Sequence, residues 1–388
     1  MNSNWKKYKL HQVAEIKYGK DHKLLKSGSI PVYGSGGVMR YGDNFLYDKP
    51  SILIPRKGTL SNLFYVDKPF WSVDTMFWSK IAEGTLPKYL FYNLKTLDLA
   101  SMDVGSAVPS LTTELLNKIE ITLPPLPEQQ AIAEILSSLD DKIELNLQTN
   151  KTLEEMANAL YKNWFVDFGP FKAGKFIESE LGMIPEGWEV KRLDQFLTVK
   201  RGGSPRPIQD FLRPTGLPWV KISDATASDS PFLLSTQEFI RKEGLSKTVL
   251  LSEGSLILSN SASPGIPKFL TLDACIHDGW LHFPEINRLN KYILFLLFLR
   301  IKEYLISQGN GSVFTNLKTD ILKSQLTVLP PIEIENQFTS MITEWFHLIR
   351  QNSLESQALR KTRDYLLPKL ISGEIQVKQA SKLAKQFL

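Results

Sequence analysis

The sequence of 388 residues is poor in several things at once, with one cysteine, five histidines and no long apolar run. A single thiol, Cys275, cannot close an internal disulfide, and one cysteine with scattered histidines cannot supply the ligands of an ordinary Cys/His zinc site. The longest apolar stretch, residues 292–299, stops at Arg300, well short of the roughly 20 residues that cross a bilayer. It is read as a buried helix, and no membrane partner is expected. The opening residues Met1-Asn2-Ser3-Asn4-Trp5-Lys6-Lys7 lack the apolar core of a secretory signal, so the expected location is cytoplasmic. No Gly-x4-Gly-Lys-Ser/Thr loop occurs, which leaves no sign of a phosphate cradle for ATP. Composition is not biased either: 43% hydrophobic, 22% charged and 11% aromatic describe globular cores rather than a disordered or low-complexity chain. At this length two domains of about 150 residues are expected.

Net charge is +5, and its distribution says more than its size: residues 1–127 sum to +5, 128–186 to −6, 187–330 to +4 and 331–388 to +2. Two basic blocks flanking an acidic one suit two polyanion-facing modules held apart by a connector. Ordinary surface variation produces the same numbers, so charge alone does not decide.

The chain also repeats itself. Trp5 to Gly19 aligns without gaps to Trp188 to Gly202, with Trp, Leu, Gln, Lys and Gly coinciding, and Gly105 to Pro125 overlays Gly311 to Pro331 with 8 identities in 21 positions. Two spaced matches in the same order mean a tandem duplication with a period far above that of solenoid repeats.

Each half ends in a helical pattern. Leu136, Leu139, Ile143, Asn146, Asn150, Leu153, Ala157, Leu160 and Trp164 step by three and four, the seam of a coiled coil. A shift of 206 gives Ile342, Trp345, Ile349, Asn352, Ser356, Leu359, Arg363, Leu366 and Leu370, so the register survives the duplication. Asn146 and Asn352 read as a polar layer that fixes helix register; asparagines at the solvent edge of an amphipathic helix would give the same spacing. Run antiparallel, the helices place these two asparagines nearly opposite each other. About 30 paired residues would span roughly 45 Å, against about 34–36 Å for one turn of DNA. Aromatics and Gly-Pro at residues 164–171 end the first helix, and Gly373 to Val377 closes the second in a comparable way.

Between the helical tails lie short strands and turns: residues 52–55, 70–73, 256–258 and 269–272 alternate with Gly, Asp and Pro clusters. A mixed α/β (α+β) fold is expected.

The motifs Ile30-Pro31-Val32-Tyr33-Gly34-Ser35-Gly36-Gly37, Ile52-Leu53-Ile54-Pro55-Arg56-Lys57-Gly58, Phe70-Trp71-Ser72-Val73-Asp74-Thr75, Leu123-Pro124-Pro125-Leu126-Pro127-Glu128-Gln129-Gln130 and Pro185-Glu186-Gly187-Trp188, in this order and duplicated, resemble the specificity subunits of type I restriction-modification systems. The resemblance runs essentially end to end. It implies two tandem target-recognition domains, each reading one half of a bipartite site in double-stranded DNA, separated by two long helices that form an antiparallel coiled coil and act as the ruler for the spacer. The corresponding boundaries are 1–124 and 187–330 for the recognition domains, 125–186 for the central helical spacer and linker, and 331–388 for the C-terminal spacer. The resemblance further implies docking of two methyltransferase (modification) subunits using S-adenosylmethionine and of two restriction/translocase subunits using ATP and Mg, with no cofactor, metal or catalysis on this chain.

Glycine turns admit close backbone approach, and nearby polar side chains reach phosphates or base edges. In the first domain such a cluster is Tyr33 and Ser35 with Arg56 and Lys57, joined by Lys20, His22 and Lys23. In the second it is Lys200, Arg201, Ser204 and Arg206, then Trp219 and Lys221, then Asn260, Ser261 and Ser263. For each of these a solvated surface role remains open. Enzymatic patterns are sparse. The Asn/Asp-Pro-Pro-aromatic tetrapeptide that the family's adenine methyltransferases would carry does not occur. Glu189-Val190-Lys191 matches the Glu-x-Lys half of a nuclease metal site, which keeps an autonomous metal-dependent DNA nuclease as the alternative. Cys275 with His277 reads as structural rather than as nucleophile and base.

Overall fold

The computed structural model describes residues 4–102, 110–307 and 317–388. Of the longer sequence repeat, Gly105, Ser106, Gly311 and Ser312 lie outside them. The chain forms two compact units, Met1–Glu144 with Ala358–Leu388, and Leu145–Gln357.

The first unit runs through β1 (Lys6–Lys9), α1 (Leu10–Val13), β2 (Ala14–Tyr18), β3 (Ile30–Gly34), β4 (Gly37–Gly42), β5 (Ser51–Pro55), β6 (Phe64–Val66), β7 (Trp71–Ser72), β8 (Met76–Ile81), α2 (Pro87–Lys95), α3 (Thr113–Lys118) and β9 (Glu120–Leu123) into α4 (Leu126–Phe165). One sheet has the order β2-β8-β5-β6, a second the order β4-β3-β7, and β1 pairs with β9. The β5 sequence Ser-Ile-Leu-Ile-Pro is buried throughout, as a central strand covered on both faces requires. The Thr112 hydroxyl caps α3 by accepting from the Leu115 amide at 3.3 Å.

The second unit begins partway along α4 and continues through β10 (Phe176–Ser179), β11 (Gly182–Pro185), β12 (Glu189–Arg192), β13 (Lys200–Arg201), β14 (Leu212–Arg213), β15 (Leu217–Val220), α5 (Ile222–Thr226), β16 (Phe232–Leu233), β17 (Glu238–Ile240), β18 (Val249–Leu251), β19 (Leu256–Ser259), β20 (Pro267–Leu270), β21 (Ala274–Ile276), β22 (Trp280–His282), α6 (Lys291–Ser307), α7 (Thr319–Ser324) and β23 (Leu326–Leu329) into α8 (Ile332–Ile371); α9 (Val377–Ala384) follows in the first unit. Its sheets have the orders β13-β22-β19-β20-β16 and β14-β17-β15-β21-β18. Of the apolar run at 292–299, residues 292–298 are buried in α6, as is Leu305 further along, while Leu299 is exposed. The fourth expected strand is shifted, since β20 begins at Pro267 and ends at Leu270.

The duplication is written into the pairing. Lys6 faces Leu123 and Lys9 faces Glu120, and in the same frame Glu189 faces Leu329 and Arg192 faces Leu326. The two sequence matches are therefore the two strands of one ribbon, present in both units. The shared glutamine closes each ribbon: Gln12 Oε1 accepts from the Lys9 amide at 2.7 Å, Gln195 Oε1 from the Arg192 amide at 2.9 Å. Both helices that follow, α4 and α8, are 40 residues long.

The two long helices run antiparallel to each other. In the first unit Arg363 Nη1 meets Asp140 Oδ1 at 2.6 Å, with Leu136, Leu139, Leu366 and Leu370 buried around them. In the second, Phe338 packs edge-on against Tyr161 and Phe165. The polar layer is broader than the sequence suggests. Asn352 donates to the side chain of Asn150 at 2.9 Å rather than to that of Asn146, which donates to Glu355 at 2.7 Å and to Ser356 at 3.3 Å and reaches only the Asn352 carbonyl, at 3.4 Å. All three asparagines are buried. The helix stagger puts Asn352 one turn along, opposite Asn150.

Candidate nucleic-acid interface

Several of the predicted contact residues of each unit gather around one turn. In the first unit it is Val73-Asp74-Thr75, between β7 and β8; in the second it is His277-Asp278-Gly279, between β21 and β22. Both turns are built alike because a short strand enters in parallel pairing (β7 on β3, β21 on β15) and leaves antiparallel beside β5 or β19. Gly19 and Gly202 come so close to this turn that a Cβ would overlap the carbonyl oxygens of Val73 and His277. Their amides donate at 2.9 Å to the carbonyls of Met76 and Trp280. The Arg56 amide donates to Thr75 O and the Asn260 amide to Gly279 O, each at 2.9 Å, while their own carbonyls accept from Leu111 and Leu317.

In the first unit Lys20, Lys23 and Lys57 are exposed. The Lys20 carbonyl accepts from the Trp71 indole at 2.9 Å, which fixes the start of its loop. The Arg56 guanidinium lies 5.4 Å from the Tyr18 ring centre and donates to the Asp74 carbonyl at 3.4 Å. Ser35 lies against Gly58, and its carbonyl accepts from Asn62 at 3.0 Å. Tyr33 is half-buried beside Phe64, with its phenol pushed up by burial. Lys20, Arg56 and Lys57 thus flank one turn, with Ser35 against the neighbouring Gly58. Lys23 is held apart with Asp21, and the His22 carbonyl serves the structural Arg40.

In the second unit Arg201 Nε donates to the Asp278 carbonyl, Ser204 Oγ donates to Asp278 Oδ1 at 2.6 Å, and Arg206 Nη2 meets Asp278 Oδ2 at 3.0 Å. Lys221 Nζ meets Glu238 Oε1 at 2.6 Å. Burial raises the Asp278 carboxyl, but the Ser204 hydroxyl and the Arg206 charge outweigh it and hold it below the usual carboxylate range. Burial lowers His277 against the opposing pull of Asp278. Ser204, Arg206, Lys221, Glu238, His277 and Asp278, with Trp219 and Gln209, line an open cavity of about 290 Å³. Lys200 is exposed on the adjoining β13, and the Ser263 carbonyl, on the neighbouring loop with Ser261, accepts from Ser259 Oγ at 2.6 Å. Two predicted residues are not presented as surface groups: Trp219 and Asn260 are both buried. Asn260 directly follows β19 and is covered there, with an Oδ1 that has no partner among the described residues. The sequence reading missed Asp278 and Glu238 and took His277 as structural only, although Asp74, inside a quoted motif, occupies the turn position matching Asp278.

The other chemical patterns take ordinary places. Glu189 is exposed and Lys191 partly exposed on the ribbon, and they pair with each other at 2.5 Å. No group of three or more His, Cys, Asp or Glu suited to a metal ion is found among the described residues. Cys275 is fully buried in β21, its thiol pushed up to about 11 by that burial, which suppresses the thiolate a nucleophile needs. Among the described residues no helix is long and apolar enough to cross a membrane.

The family model of the type I restriction modification DNA specificity domain matches residues 2–155 and again 185–358, once in each half. The chain is 32% identical over 311 residues to the type I restriction enzyme MjaIX specificity subunit of Methanocaldococcus jannaschii, covering 76% of this chain and 71% of that one. It is 26% identical over 369 residues to the type I restriction enzyme HindI specificity subunit of Haemophilus influenzae, covering 76% and 78%. The fold is that of the crystal structure of the type I restriction-modification system S subunit from M. genitalium, with a TM-score of 0.68 at 15% identity over 95% of this chain and 96% of that one.

Proposed function

The chain belongs to the type I restriction-modification DNA specificity family, so it is a non-catalytic specificity subunit that recognises DNA sequence, and we propose that its two halves read the two halves of one bipartite duplex target. One observation carries this reading: the same turn, closed by the same backbone bonds and flanked by cations, occurs once in each unit. Two related but differently furnished surfaces suit two related but different half-sites. Residues 1–124 and 187–330 would be the recognition domains. Lys20, Lys23, Tyr33, Ser35, Arg56 and Lys57 would contact DNA in the first; Lys200, Arg201, Ser204, Arg206, Lys221, Ser261 and Ser263 would do so in the second, with Asn260 supporting from below.

Residues 125–186 and 331–388 would set the spacer and dock two methyltransferase subunits, with Asn146 and Asn352 fixing register. S-adenosylmethionine would be held by those subunits, ATP and Mg by two restriction/translocase subunits, and the assembly would work in the cytoplasm. Because phosphates dominate affinity, binding falls steeply with salt.

Mapping methylated adenines in the host genome with and without this gene, with the partner genes expressed, tests the reading. Loss of methylation at one bipartite motif is the expected result. An unchanged map would overturn it.

A further inference from the structure

Three cations of the second unit's candidate interface do not stand free. Arg206 and Lys221 are each paired with a carboxylate, and Arg201 is tied to the main chain of the residue that holds Arg206. One turn residue, Asp278, collects three donors, while the exposed Lys200, beside Arg201 on β13, has no ion pair among the described residues. The matching Asp74 carboxylate of the first unit likewise has none among the described residues. A carboxylate at a DNA-facing surface repels phosphate, yet it can accept from the exocyclic amino groups of cytosine or adenine in the major groove.

We propose that Asp278, seconded by Glu238, is a specificity-determining residue that keeps Arg206 and Lys221 from engaging the phosphates of arbitrary DNA. This rests on the reading of this face as a DNA surface. In the free chain the carboxylates neutralise the cations. On non-target duplex, releasing them brings two carboxylates close to phosphates, and discrimination arises from that penalty against wrong partners. On the target, a base amino group takes the place of the released cation. The pairs are open enough to exchange, with side-chain exposures of 74% and 41% for Arg206 and Asp278 and of 44% and 32% for Lys221 and Glu238, and such solvated pairs are weak.

The test is equilibrium binding of the full-length chain to a duplex of scrambled sequence, titrated with potassium chloride. Asp278→Asn keeps the shape and the Ser204 bond but drops the charge. It should tighten binding and steepen the slope of log affinity against log salt by about 1, as one added phosphate contact does. Adding Arg206→Gln should take that unit back, and Lys200→Ala in the natural chain should lower the slope by about 1. If Lys200→Ala lowers the slope while Asp278→Asn leaves it unchanged or weakens binding, the restraining role is wrong. A gain that survives Arg206→Gln also overturns it, since the released charge is then not the one assigned. If neither Lys200→Ala nor Asp278→Asn has any effect, this face does not touch DNA, and the underlying reading fails instead.

Discussion

A methyl group added at Gly202 would run into the carbonyl oxygen of His277, and one added at Gly19 would run into that of Val73. Neither position can relieve this by a side-chain rotation, because the obstacle is backbone. Gly202→Ala should therefore destabilise the second unit by about 1–3 kcal/mol, the usual cost of overpacking, read as a lower melting temperature; an unchanged melt would show that the turn yields. This identity was visible in the sequence as a repeated glycine, but its reason was not, since the carbonyl it meets lies some 75 residues further on. The glutamines were visible too, and their role is local: each satisfies an amide three residues away. Asp278 escaped notice because only pairing registers, not sequence identity, align it with Asp74.

At the scale of elements, the long helices were the most legible part, since a three-four spacing of apolar residues persists over many turns in both copies. What the spacing could not supply was the stagger, set by how side chains interlock, and so the Asn352 side chain meets Asn150 instead of Asn146. Asn150→Leu alone strands a buried amide and should cost about 1–3 kcal/mol. Asn150→Leu with Asn352→Leu together should cost less than the sum of the two single changes; strict additivity in thermal unfolding would contradict the pairing.

The layer continues outward: Asn150 donates to Ser353, whose hydroxyl lies 3.3 Å from that of Ser230, and the Ser230 carbonyl accepts from the buried Lys268. Burial moves Lys268 down to about 8, with Asp229 and Glu154 pulling the other way, and moves Glu154 on α4 up to about 7. A raised carboxyl means that the folded state holds a proton the unfolded state has lost, so stability is full below about 4.5 and declines as pH rises through about 7. The lowered lysine contributes stability above about 10.5 that is lost as pH falls through about 8. Glu154→Gln should thus gain melting temperature over the natural chain as pH climbs from 5 to 8. A pH-independent difference would exclude burial of that carboxyl as the cause.

For the molecule as a whole, the order of motifs and their duplication were enough to indicate the family and the α/β architecture, because both depend on patterns that repeat along the chain. The contact surfaces were only half legible, since basic and glycine residues mark a region while the turn that unites them is assembled from segments distant in sequence. If each half is a separate reader, specificity divides at the repeat. The decisive measurement is adenine methylation mapping after residues 190–330 are replaced by the matching segment of another family member, in cells expressing the partner subunits. The expected result is a new sequence in one half of the bipartite motif, with the other half retained. A change in both halves, or in neither, would contradict it.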